Sequence, residues 1–149
     1  TAPRHYILRT SWVIGEGNNF VRTMASLAER GIAPKVVDDQ VGRLTFTTDL
    51  ARAIRHLVES GAPYGTYNVT GSGEPASWAD VAKAVYAAVG SDPADVTPVT
   101  TEEYFAGSDK VIAPRPAFST LDLSEIQAAG FVPRDWRESL PAYLSIGTA

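Results

Sequence analysis

The chain has 149 residues, with 13 Lys and Arg against 17 Asp and Glu, a formal net charge of -4, and no cysteine. That length suits one domain burying about two thirds of its unfolded surface, and the absence of thiols excludes disulfides and thiolate chemistry. Scattered basic residues under an acidic balance speak against a nucleic-acid partner. No stretch approaches the ~20 apolar residues of a membrane span, and the N-terminus lacks the plan of a signal peptide, so a cytoplasmic protein with no membrane partner is expected.

In chain order, an apolar run from Tyr6 passes through Thr10-Ser11-Trp12 into Gly15, Gly17, Asn18 and Asn19 and then into a helical pattern. A strand, a tight loop and a helix start are expected. Ligands collect at such strand ends in open α/β folds. Two hydroxyls beside one indole suit a polar, ring-shaped ligand, although Trp12 reads equally well as core. Phe20, Met24, Leu27 and Ala28 share a helical face, with Asn18 or Asn19 as cap and Gly31 as stop. The N-terminus of this helix would face any anion held by the loop.

Lys35-Val36-Val37 reads as a short strand and residues 38–48 as a polar surface loop. Asp49 is expected to cap a second helix that buries Leu50, Ile54, Leu57 and Val58 and stops at Gly61. His56 beside that stripe reads as structural, because no second ligand or base sits at a helical offset from it. Residues 66–70 read as a strand. Ser77 with Asp80 forms a capping-box variant ahead of a helix striped by Trp78, Val81, Ala82, Val85 and Val89. A turn at 91–95, a short edge segment at 96–99, an irregular stretch at 100–116 and two last helices at 121–129 and 136–144 complete the chain.

Gly71-Ser72-Gly73-Glu74-Pro75-Ala76 fits the G-x-G-x-x-A dinucleotide fingerprint. The strand-to-helix turn is the better reading, since Pro75 lacks the N–H a phosphate cradle uses and no acidic residue closes a second strand. None of the tyrosines at 6, 64, 67, 86, 104 and 143 has a lysine four residues later. The proton-donating phenol of a short-chain dehydrogenase, its pKa lowered by such an ammonium, is therefore absent from these residues.

The run Leu8-Arg9-Thr10-Ser11-Trp12-Val13-Ile14-Gly15-Glu16-Gly17-Asn18-Asn19-Phe20 resembles the dTDP-4-dehydrorhamnose reductase family of the extended short-chain dehydrogenase/reductases, which carries LRTSWVYG followed by GxNNF. The likeness continues through Val37-Asp38-Asp39-Gln40-Val41-Gly42, the threonines from 45 to 48 with Asp49-Leu50-Ala51, and Gly65 to Gly73 with Ser77-Trp78. It extends over Thr101-Glu102-Glu103-Tyr104, Arg115-Pro116-Ala117-Phe118-Ser119 and Leu121-Asp122. Nearly all of the chain is covered, but only the family's C-terminal half. The start at Thr1-Ala2-Pro3-Arg4, just ahead of a buried strand, likewise points to a piece of something longer.

The resemblance implies an α/β fold, the C-terminal substrate-binding portion of an extended short-chain dehydrogenase (Rossmann-like) fold, built of helices with a few short strands and forming one domain over 1–149. The NAD(P)-binding Rossmann half, its Tyr-x-x-x-Lys pair and its glycines would lie upstream, so no catalytic residue is expected here and this half alone should be inactive. The family's tryptophan contacts the deoxysugar, which carries onto Trp12. Thr10 would touch the cofactor amide, with Ser11 near the sugar. Arg115 of the Arg-Pro-x-x-Ser motif would hold the diphosphate with paired guanidinium donors, unless an ion pair with Glu102, Glu103 or Asp109 claims it. Gln40 and Asn19 are weaker carry-overs to the substrate, and Arg43 is a candidate from its loop alone. Trp12 and Arg115 are expected to face one cleft.

The implied cofactor is NADPH or NADH, bound mainly by the preceding half, with magnesium left open. The implied partners are a dTDP-sugar and that Rossmann half, and oligomeric state is not legible. The implied reaction reduces the C4 ketone of dTDP-4-dehydro-L-rhamnose to dTDP-L-rhamnose for cell-wall or surface polysaccharide. The alternatives are a non-catalytic subunit similar to the regulatory subunit of methionine adenosyltransferases, or another nucleotide-sugar epimerase or dehydratase. Three departures from the family pattern point to an altered lid over the sugar: Ile14 for an aromatic residue, Leu44 for a proline, and a longer run over residues 105–112.

Overall fold

The computed structural model describes residues 2–108 and 113–146. In chain order its elements are β1 (Tyr6–Arg9), β2 (Val13–Ile14), α1 (Phe20–Glu29), β3 (Lys35–Val37), β4 (Val41–Gly42), β5 (Thr45–Phe46), α2 (Thr47–Ser60) and β6 (Gly65–Asn68). There follow β7 (Ala76–Ser77), α3 (Trp78–Ala88), a 3-10 turn (Pro93–Asp95), β8 (Thr97–Val99), α4 (Thr101–Phe105), α5 (Ser124–Ala128) and α6 (Trp136–Ser145). The strands form four two-stranded ladders: β1 with β6, β2 with β5 and β3 with β8 in parallel, and β4 with β7 antiparallel. A parallel pair cannot be closed by a hairpin, so each of the three is joined by a crossover that carries at least one helix.

Local chemistry explains most helix boundaries. The Asn19 side chain accepts from the Arg22 N–H at 3.1 Å and caps α1. Ser77 and Asp80 form a reciprocal capping box on α3, both bonds at 3.1 Å. Asp135 caps α6. Each such cap stabilises by about 1 kcal/mol. Gly61 ends α2 in the left-handed region at φ 63°, which a residue with a Cβ adopts at a cost.

Two apolar clusters hold the chain together. One joins α1, α3 and α6 through Val21, Met24, Val81, Val85, Tyr86, Trp136 and Leu140, with Val36, Leu44 and Phe46 beneath them. The other lies where β6, α2 and α5 meet, around Leu57, Tyr67, Val69, Ile126 and Phe131.

Several expectations need correction. Residues 38–48 are not a surface loop, because β4 and β5 run through them and Gly42, Leu44, Thr45 and Phe46 are buried. Drawing β5 into the core starts α2 at once, at Thr47 behind Phe46, so Asp49 is no cap. It is instead a buried carboxylate in the first turn, bonded to Arg52 at 2.7 Å, where the helix dipole favours an anion. The buried face of α2 is accordingly Asp49, Ala53 and Leu57, and Ile54 and Val58 stay exposed. The stretch 100–116 holds α4, opened by a second capping box between Thr100 and Glu103. The helix expected over 121–129 is only the five residues of α5. The fingerprint segment, read from the sequence as a turn, is closed off by the residues ahead of α6: Ser72 donates its N–H to Arg134 O at 2.8 Å, and Cβ atoms on Gly71 and Gly73 would strike Leu44 and Asp135.

Candidate functional site: an aromatic groove with two cations

β3, the start of α1, the first residue of α3 and α4 surround a groove of about 600 Å³, completed by Ala113, Pro114 and Arg115. Its apolar lining is Phe20, Met24, Val36 and Trp78, with Tyr104 and Phe105 contributed by α4. Lys35 and Arg115 add two cations, Gln40 an amide and Glu102 a carboxylate to this surface. A flat apolar wall with a few polar groups is what a drug-sized ring system needs, and two cations suit an anionic extension of it.

The α4 side is pinned by polar contacts. Asp39 accepts from the Thr101 N–H at 3.1 and 3.0 Å and from its hydroxyl at 2.6 Å. Those bonds hold the Asp39 carboxyl below its ordinary value of 3.8. Gln40 donates to Thr101 Oγ1 at 3.0 Å, so its amide lies beside the groove with its carbonyl end uncommitted among the described residues.

Arg115 is exposed at the groove rim and forms no ion pair with Glu102 or Glu103 among the described residues; Asp109 lies outside them. Its guanidinium therefore faces the groove without a carboxylate partner from α4.

Trp12 is placed differently from expectation. Its indole stacks on Trp78 at 3.8 Å between centroids and 14° between planes, and its other side lies against Gly42. Among the described residues it is the one non-glycine with positive φ, at 50°. A bulky residue there costs on the order of 1–3 kcal/mol and persists where surrounding contacts hold it. Trp78, tilted against Phe20 at 4.6 Å, is the indole that lines the groove with Arg115, and Trp12 backs it. Trp12 and Arg115 thus do not share a cleft face to face. The sequence placed Trp78 only in the α3 stripe; its position as first helical residue at a strand-to-helix turn was the signal for a ligand-facing role.

The other candidates divide. Ser11 donates its hydroxyl to Ser119 O at 3.2 Å, and its carbonyl accepts from Thr45 Oγ1 at 2.7 Å, tying the loop to the buried β5. Thr10 is exposed just past the carboxyl end of β1. Asn19 is consumed by the fold: besides capping α1, its amide donates to Gly15 O at 2.9 Å, Gly17 O at 3.2 Å and Tyr143 Oη at 2.7 Å. Tyr143 in turn donates to Gly15 O at 2.5 Å and accepts from Arg22 Nε at 2.9 Å. Arg43 donates to Gly73 O at 2.7 Å and lines a separate depression of about 380 Å³ with Phe118, Thr120 and Asp122. His56 is structural, bonding Ala129 O at 2.8 Å beside Phe131. Ile14 and Leu44 are fully in the core, so those two family departures change packing and not a lid. Of the third, Phe105 lines the groove and residues 109–112 lie outside the described residues.

This α/β arrangement with a groove along β3 resembles the substrate-binding region of the extended short-chain dehydrogenase/reductases, as its family match and superpositions show. The chain belongs to the RmlD substrate binding domain family, whose model matches residues 1–148. It is 46% identical over 139 residues to the spore coat polysaccharide biosynthesis protein SpsK of Bacillus subtilis, covering 93% of this chain and 46% of that protein. It superposes on a dTDP-4-dehydrorhamnose reductase from Clostridium acetobutylicum with a TM-score of 0.84 and 39% identity, over 97% of this chain and 49% of that one. A dTDP-4-dehydrorhamnose reductase from Bacillus anthracis in complex with NADP matches with a TM-score of 0.80 and 35% identity, over 96% and 48%. The chain thus spans about half the length of these relatives.

Proposed function

We propose that this chain is the substrate-recognition half of an NAD(P)H-dependent dTDP-4-dehydrorhamnose reductase, which reduces the C4 ketone of dTDP-4-dehydro-L-rhamnose to dTDP-L-rhamnose in the cytoplasm. The observation that carries this reading is the groove itself, where the Trp78, Phe20, Met24 and Val36 wall lies within one 600 Å³ space with Lys35, Gln40 and Arg115. Its apolar side suits a flat pyrimidine, and its cations suit the diphosphate, for which a guanidinium offers paired donors. The likeness to reductases of this name over 93% of the chain or more supports the same substrate class.

The chemistry is divided between two halves. The proton donor and the phosphate cradle belong to the preceding Rossmann half, since no Tyr-x-x-x-Lys pair exists here. A bound nicotinamide would supply hydride to C4. What these residues do is bind and orient the sugar nucleotide, with Arg115 on the diphosphate and Trp78, backed by Trp12, beside the rings. Thr10, exposed at the end of a parallel strand where such sheets address ligands, fits a contact to the cofactor amide. Among the described residues no group of three or more His, Cys, Asp or Glu is placed to hold a metal, so a magnesium ion gains no assigned ligands here.

The test is direct. Full-length protein given dTDP-4-dehydrorhamnose and NADPH is expected to oxidise the cofactor and form dTDP-L-rhamnose, while the 149-residue half alone turns over nothing. No product from the full-length protein would refute the reading.

A further inference from the structure

Resting on the nucleotide-sugar reading, we propose that Gly42 is a positioning residue for substrate binding: its missing side chain forms the slot in which Trp12 lies flat behind Trp78, setting the groove's aromatic wall. A glycine is not needed at 42 for its backbone, because Gly42 is absent from the positive-φ glycines and pairs regularly with Ala76 in the β4–β7 ladder. Space is what it provides. A Cβ there would sit 2.7 Å from Trp12 Cε2, closer than real Cβ atoms approach, and 3.0 Å from both Cδ2 and Cζ2, so the ring would have to shift.

The slot is fixed on both sides by the same ladder. Gly42 is registered opposite Ala76, and Trp78 follows two residues after Ala76 as the first residue of α3. The gap between the Gly42 backbone and the Trp78 ring is thereby set by main-chain hydrogen bonds and filled by one indole, 3.8 Å from Trp78. The Trp12 backbone is also held, its carbonyl accepting from the Thr45 N–H at 3.0 Å. With φ at 50° and its carbonyl anchored, Trp12 has little freedom to yield, so a methyl group at 42 transmits its displacement to the ring and through it to Trp78, which faces the groove. Small misplacements of positioning groups weaken productive binding strongly.

The experiment is a double-mutant cycle in the full-length protein. Gly42→Ala is expected to raise KM for dTDP-4-dehydrorhamnose by roughly tenfold with kcat within about twofold of wild type, and to diminish the exciton couplet that two stacked indoles give in circular dichroism. In a Trp12→Ala background, where the indole that meets the new Cβ is gone, Gly42→Ala should add less than about twofold, the non-additivity expected of residues in contact. Should Gly42→Ala alone fail to fold, recovery of a folded protein in the double variant supports the proposal, and equal failure of both overturns it. An unchanged KM, or the same increase in both backgrounds, overturns it as well. If the full-length wild type reduces no such sugar, the reductase reading falls, while the couplet and the affinity for dTDP by titration calorimetry still decide the role of Gly42.

Discussion

Asn19 spends its amide inside the fold, on Gly15 O, Gly17 O and Tyr143 Oη, and its carbonyl oxygen on the cap of α1. Asn19→Ala is therefore expected to lower stability by about 1–3 kcal/mol, cap loss plus unpaired loop carbonyls, read as a fall in thermal midpoint of the full-length protein. Its KM should move little once the protein is folded. Arg115 is the reverse case, exposed and without a described carboxylate partner at the groove rim. Arg115→Ala should leave the midpoint unchanged and raise the dissociation constant for dTDP by roughly 10- to 100-fold, the worth of a charge-assisted hydrogen bond. Equal dTDP affinity in that variant would remove Arg115 from the diphosphate site. Residue type alone could not separate these two, because an asparagine after a glycine loop caps a helix and touches a ligand with the same group. Only the distance to Tyr143, from a helix at the far end of the chain, decides it.

At the scale of elements, α4 carries its own test. A helix of five residues is too short to persist by propensity, and it is held by Thr100, Glu103 and the Asp39 bonds to Thr101. Because those bonds lower the folded-state pKa of Asp39 from 3.8, their contribution is fully present above that value and is lost as pH falls through the lower folded one. Backbone chemical shifts of Thr101 to Phe105 are thus expected to move toward coil values below pH 3.8, and Asp39→Asn should show part of that change already at neutral pH. Unchanged shifts through this range would mean that Asp39 does not pin α4. Asp122, lowered likewise by Ser124 at the start of α5, gives that helix the same acid limit. The helix at α4 was legible, since Thr100-Thr101-Glu102-Glu103 is a capping-box pattern. What concealed it was the following polar run, which lacks a 3.6-residue stripe. The burial of β4 and β5 was not legible in the same way. Two-residue strands are too short to show alternation, and the one threonine in them, Thr45, is buried with its hydroxyl bonded to Ser11 O across the chain.

For the molecule as a whole, the surface that sets its assembly is the free edge of β1. Among the described residues β1 pairs only with β6, so one of its edges presents unpaired N–H and C=O groups, and Ile7 is half exposed beside it. Ile54 and Val58 of α2 are exposed as well, turned out by the helix register that buries Asp49, Ala53 and Leu57. An unpaired edge with exposed apolar side chains is a liability unless covered. The proposed Rossmann half offers cover, as its sheet can continue onto β1. Hydrogen exchange distinguishes this from a solvent-facing edge: the amides of Ile7 to Arg9 should exchange at least ~10-fold more slowly in the full-length protein than in the 149-residue half. Those of Val81 and Val85 in the α1–α3–α6 core, fully buried already, should be slow in both. Equal exchange at β1 in the two proteins would mean that nothing docks there, and a uniform slowing that includes α3 would point to global stabilisation instead of a local interface.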